Sequence, residues 1–131
     1  VPEQLEADIT LYKQSVEEAG KDPANADVAI MVDGYVAETE EAAYDALDPY
    51  MPDLHEKYIS WGNPEFDRRP TFDDVDDQCI IGTPAQAAEK VAAFRDMGVD
   101  QFIFRTQFPG MSQEAATQSI ELFRDEVIAA V

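Results

Sequence analysis

The sequence predicts an α/β fold built on a parallel sheet. Three observations carry that prediction. Three short runs are almost continuously apolar, as strands covered on both faces are. Four longer segments repeat apolar residues at three- and four-residue spacing, the period of an amphipathic helix. The two kinds of segment alternate, which implies parallel strands joined by right-handed crossovers.

The first helix opens at Pro2, with Glu3 and Glu6 suited to the positive end of the helix dipole. Leu5, Ile9, Tyr12 and Val16 give it one apolar face, and Gly20 and Pro23 end it. Val28–Val32 is the first strand. Thr39 then caps a second helix, with Glu40 and Glu41 in its first turn and Tyr44, Leu47 and Met51 along its apolar side. Pro49 and Pro52 kink or divide it, and Tyr58, Ile59 and Trp61 finish the segment. Residues 62–77 form a polar, acid-rich connection. Gln78–Ile81 is the second strand, and Thr83-Pro84-Ala85-Gln86 reads as a capping box opening the third helix. Ala88, Val91, Ala92 and Arg95 line up along that helix, and Met97-Gly98-Val99 stops it with glycine in a left-handed position. Gln101–Arg105 is the third strand. Ser112 caps the last helix, whose Ile120, Phe123, Val127 and Ile128 are expected to face inward.

Composition narrows the function classes. The chain has 131 residues, room for a single α/β unit spanning 1–131, and 45% hydrophobic residues give it a core to bury. Its 28 acidic side chains against 9 basic ones leave a net charge of -19. Phosphate backbones and anionic membranes repel such a surface, so neither nucleic acid nor a membrane is an expected partner. No apolar stretch approaches the ~20 residues that span a bilayer, and no signal-peptide pattern opens the chain. The acids occur in every segment rather than in one tail. That distribution fits a cytoplasmic protein of a halophile, because molar salt shortens the Debye length to about 3 Å and quenches the self-repulsion. Cys79 has no disulfide partner and reads as a small buried hydrophobe, and His55 as a helix-surface residue. Together they cannot make a zinc site without carboxylates, so no metal site and no catalytic residue are assigned.

Strand starts fall near residues 28, 78 and 101. The spacing of about 23 residues between the last two fits one unit of a (β/α)8 TIM-type barrel, and the larger one fits a unit plus the connection at 62–77. Three strands do not close a barrel, and an open sheet of three has two bare edges. The fold class is therefore a helix–strand fragment holding the last three βα units of such a barrel. Its possible forms are an open three-layer unit or one completed by self-association. The start directly at a helix, without an initiator Met, favours a piece of something longer.

Four stretches, in order, carry a resemblance. They are Gly34-Tyr35-Val36-Ala37-Glu38-Thr39 with Glu41-Ala42, then Ile80-Ile81-Gly82-Thr83-Pro84, then Gly98-Val99-Asp100, and finally Phe102 through Met111. Together they resemble the C-terminal end of the luciferase-like monooxygenase family. The resemblance covers the whole chain and implies a (β/α)8 barrel that uses FMN or a deazaflavin, of which this is about the last three-eighths. It also implies that the absent N-terminal strands supply most of the flavin contacts. Cofactor use thus belongs to the full-length parent, a flavin-dependent oxidoreductase acting on a small-molecule substrate, and this chain alone is expected to be inactive. Its expected partner is the N-terminal half of the barrel or a second copy.

In a barrel the functional face lies at the C-terminal ends of the strands. Arg68 and Arg69 precede a strand and so fall on the opposite face, as structural residues. Gly82 and Thr83 stand at the functional end, where a helix N-terminus offers amides and positive dipole to an anion. Arg105 and Gln107 follow the last strand toward the barrel mouth. Arg105 has a guanidinium fork suited to an anionic group, and an ion pair with a local carboxylate is the competing reading. Gly110 provides a turn, and Phe108, Pro109 and Met111 an apolar wall, with ordinary loop packing as the competing reading. These five residues, Gly82, Thr83, Arg105, Gln107 and Gly110, are the candidates for cofactor or substrate binding. Asp73-Asp74 and Asp76-Asp77 read as hydrated surface. The alternative to an enzyme part is a non-catalytic assembly module that self-associates through its open sheet edges.

Overall fold

A computed structural model describes residues 3–50, 56, 60 and 79–131. Pro2, Met51, Pro52, His55, Tyr58, Ile59, Trp61, Arg68, Arg69, Gln78 and the whole 62–77 connection, with its acid pairs, lie outside the described residues.

Helix α1 (Glu3–Glu18) leads through a short 3-10 turn at Pro23–Asn25 into strand β1 (Ala29–Val36). Helix α2 (Glu40–Leu47) follows, then β2 (Ile80–Gly82), α3 (Pro84–Asp96), β3 (Gln101–Arg105) and α4 (Gln113–Leu122), which continues into a π-helical turn at Phe123–Val127. The three strands are parallel in the order β2-β1-β3, with β1 in the centre. The chain thus takes the open-sheet form. β2 and β3 flank β1 on opposite sides, where successive barrel strands would lie side by side.

β1 runs four residues beyond the apolar run 28–32, and the reason lies in its neighbours. Asp33 stands opposite Arg105 in the β1–β3 register and pairs with it. Gly34 stands opposite Ile80, so close that a Cβ there would come within 2.0 Å of the Ile80 carbonyl oxygen. A charged residue and a glycine, both poor strand signals in the sequence, are satisfied by partners far along the chain.

Alternation along the strands sends residues to two layers. Ile30, Val32, Val36, Ile80, Phe102 and Phe104 join a core that includes Ile9 of α1, Ala87, Val91 and Phe94 of α3, and Phe123 and Val127 of the π turn. Phe104 stacks on Phe123 with ring centroids 4.2 Å apart. On the other face, Tyr35, Cys79 and Ile81 pack with Ala43 and Leu47 of α2, Phe108, Met111 and Ala116. Each fully buried aliphatic side chain, such as Leu47 or Val36, contributes about 2 kcal/mol of transfer free energy.

The helix caps stand where the sequence places them. Thr39, Thr83 and Ser112 each accept a hydrogen bond from the third residue on, and Thr83 with Gln86 forms a full capping box. Gly98 has φ +97°, the left-handed stop. Three helix faces differ from the expected ones. α1 meets the core through Ile9 and Leu5, while Tyr12 is exposed. α3 buries Ala87, Val91 and Phe94 rather than a stripe through Ala88, Ala92 and Arg95, because the large Phe94 ring outweighs two alanines and turns the helix to suit. In the last helix Phe123 and Val127 are buried as expected, but Ile120 and Ile128 are 51% and 52% exposed. The inward face runs through Ala116, Ser119, Phe123 and Val127 at helical spacing, so Ile120 and Ile128, each one residue past a buried one, are turned about 100° away from it. The Ile128 N–H donates to the Phe123 carbonyl five residues back, closing the π turn.

α2 ends at Leu47, with Asp48 as its C-terminal cap directly before Pro49. No helix among the described residues is long and apolar enough to cross a membrane.

Candidate functional site

In open parallel sheets ligands bind outside the carboxyl ends of the strands, where the connections diverge. At that end of β1 a buried polar cluster stands. The Val36 N–H donates to Ser119 Oγ at 2.8 Å, and the Thr106 hydroxyl donates to the same oxygen at 3.0 Å. Both hydroxyl residues are buried. The Tyr35 hydroxyl donates to the Ala115 carbonyl at 2.8 Å, and burial pushes the phenol pKa up. These contacts tie α4 to the end of the central strand. Beside them lies a cavity of about 550 Å³, floored by Tyr35, Val36 and Leu122 and rimmed by Glu38, Glu121, Asp125 and Glu126. Its rim repels an anion. Asp125 itself is held below the usual carboxylate range by the hydrogen-bonding guanidinium of Arg124.

The five sequence candidates fall in three places. Gly82 and Thr83 sit at the N-terminus of α3, but the helix's own cap uses the amides there. The Thr83 N–H donates to Gln86 Oε1 at 2.8 Å and the Gln86 N–H to Thr83 Oγ1 at 3.4 Å. The Gln86 amide in turn donates to Glu40 Oε2 at 2.7 Å, which brings a carboxylate to the approach an anion would take. A side chain at Gly82 would strike Gln86 Oε1 at 2.4 Å.

Arg105 lies across β1 from Thr83. Its guanidinium forks onto Asp33, Nε to one carboxylate oxygen and Nη2 to the other at 2.6 Å. The ion-pair alternative for Arg105 is thus the geometry seen. Gln107 and Gly110 are exposed in the loop after β3, with Gly110 at φ +93° against the Tyr50 ring. Phe108 and Met111 are packed into the second core, the loop-packing alternative to a pocket wall. Strand order explains why the candidates do not converge: Gly82–Thr83 and Arg105–Gln107 follow strands on opposite edges of the sheet.

Sequence reasoning passed over Tyr35, Thr106 and Ser119. A serine facing inward from a helix is a weak signal in sequence, since the hydroxyl more often satisfies itself locally. Only the far partner, Val36, reveals its use.

The family model for luciferase-like monooxygenases matches residues 1–101. The chain belongs to the luciferase-like monooxygenase family. The matched stretch ends before Phe102–Met111, the last of the four stretches that carry the resemblance. No curated protein sequence matches the chain. Among solved structures, the chain is similar to the monooxygenase RslO1 from Streptomyces bottropensis, with a TM-score of 0.75 at 19% identity. That match covers 97% of this chain and 38% of RslO1. It is also similar to an F420-dependent secondary alcohol dehydrogenase solved with an F420–acetone adduct, with a TM-score of 0.63 at 16% identity. There the match covers 94% of this chain and 38% of the dehydrogenase. This luciferase-like chain thus spans about two fifths of the length of either enzyme. The three-stranded parallel sheet and the helices of the described residues are similar to the TIM-barrel-type folds of these two enzymes.

Family membership carries flavin or deazaflavin use as the family's chemistry, and the described residues can be tested for fit to such a group. A flavin phosphate needs free amides or a free cation. At the strand ends the Thr83 and Gln86 amides are taken by the α3 cap, the Arg105 fork is on Asp33, and the cavity rim is acidic. These three places do not fit the phosphate.

Proposed function

We propose that this chain is the C-terminal part of an oxidoreductase or monooxygenase of the luciferase-like type, contributing one wall of the barrel and loops on the substrate side. The observation that carries the reading is the family match over residues 1–101, supported by likeness in fold to a monooxygenase and to an F420-dependent dehydrogenase. The flavin or deazaflavin, when bound in the parent, supplies the redox chemistry. In this reading Gly82, Thr83, Gln107 and Gly110 belong to the loop ends facing the substrate. Arg105 holds its place on Asp33 as a positioning residue. The cofactor's phosphate end is held by groups other than those at these strand ends.

A fluorescence titration of the chain with riboflavin, FMN and a deazaflavin tests this. Saturable but weak ring binding is expected, with riboflavin and FMN equal within about threefold because, among the described residues, no free cation stands at the strand ends to recognise the phosphate. FMN binding more than about tenfold tighter than riboflavin would overturn the assignment of the phosphate elsewhere. No saturable binding of any flavin would count against the placing of these loops on the substrate side, where the ring must also lie.

A further inference from the structure

Small molecules are bound in concave sites with an apolar floor and a few well-placed polar groups. The groove beyond the end of β1, between α2 and the last helix, has that make-up. Tyr35, Val36, Ala37, Ala42 and Leu122 give it an apolar floor, and Tyr35 is fixed there by the Ala115 carbonyl. Glu38 enters from the β1–α2 connection, and Glu121 and Glu126 from the last helix. Among the described residues no ion pair or side-chain hydrogen bond engages these three carboxylates. Arg124 feels the charge of Glu121 but donates its hydrogen bonds to Asp125. The acidity belongs to this groove and does not simply follow from the chain's net charge. A smaller cavity of about 180 Å³ between α3 and β3 is lined by one acid and one base, and both are engaged. There Asp100 accepts from the Val28 N–H, and Arg95 donates to Asp96.

We propose that the groove binds a linear alkyl diamine or polyamine, with its methylenes on the floor and its ammonium groups on the carboxylates. Charge complementarity calls for a cation. The spread of the carboxylates calls for one whose charge is divided. Among the described residues no three acidic, histidine or cysteine side chains gather closely enough to hold a metal ion. The floor calls for methylenes between the charges, since burying apolar surface rewards them and a hydrated metal ion has none to bury. Every group in the groove comes from β1, α2, their connection or the last helix. The site is therefore formed by this chain and does not depend on the redox role proposed above, and either outcome of the flavin titration leaves it in place.

Isothermal titration calorimetry of the intact chain in about 0.15 M potassium chloride tests this, with putrescine, n-butylamine and magnesium ion as probes. Putrescine is expected to saturate one site and to bind at least about tenfold more tightly than magnesium, which carries the same charge without methylenes. Butylamine, with a single ammonium group, is expected to bind at least about fivefold more weakly than putrescine. Glu38→Gln and Glu126→Gln keep the side chain's shape at exposed positions, so circular dichroism is expected to stay unchanged. Each is expected to weaken putrescine about fivefold, whereas Glu17→Gln, exposed on α1, changes it less than about twofold. No saturable putrescine binding overturns the proposal. Magnesium binding as tightly as putrescine overturns it too, because the net charge alone would then account for the attraction. So does an equal loss from Glu17→Gln and the two groove variants.

Discussion

A Cβ at Gly34 would stand 2.0 Å from the Ile80 carbonyl oxygen and 2.8 Å from the Phe104 ring, so the backbones of β1 and β2 approach only because no side chain is there. Gly34→Ala must therefore part the central strand from its neighbour. A loss of about 3 kcal/mol in urea unfolding is expected, and a loss below about 0.5 kcal/mol would show that the approach is not enforced. Ser119 acts through hydrogen bonding instead. Its hydroxyl accepts from the Val36 N–H in a fully buried site. Ser119→Ala leaves that amide without its acceptor at a cost of about 2 kcal/mol. Backbone hydrogen exchange at Val36 should quicken more than at Val32, and equal changes at both would refute a local role.

At the scale of elements, the helix starts were legible and the sheet's arrangement was not. Thr39, Thr83 and Ser112 announce their caps within four residues, so a local code suffices. Thr83→Ala should lower stability by about 1 kcal/mol and Tm by about 4 °C, read by thermal circular dichroism; an unchanged Tm would mean that the box with Gln86 is ornamental. The second half of β1 was hidden because Asp33 and Gly34 become strand residues only through Arg105 and Ile80. The inward face of the last helix differs at Ile120 and Ile128 because each stands one residue past a buried neighbour, Ser119 and Val127, and a serine gives no apolar signal to mark the face. The candidate site was legible as to its end of the sheet. It was not legible as to convergence, since the order β2-β1-β3 separates residues that consecutive strands would bring together.

Over the whole molecule the charge of -19 is the dominant long-range term. Raising potassium chloride from about 0.1 M to about 1 M shrinks the Debye length from about 10 Å to about 3 Å. Tm measured by calorimetry should rise by about 10 °C over that range, and a flat Tm would argue against salt adaptation. The strand order has a further consequence, for the time course of folding. β1 finds its longest pairing with β3, and the Asp33–Arg105 contact spans 72 residues. Closing so long a loop must precede any gain from the pairing, which places this sheet among slow, non-local assemblies. During synthesis Asp33 of β1 is made 72 residues ahead of its β3 partner Arg105, with only the three-residue β2 coming between them in the described sheet. For that interval its apolar residues have no settled neighbour, and a nascent chain in this state is a natural client for a chaperone.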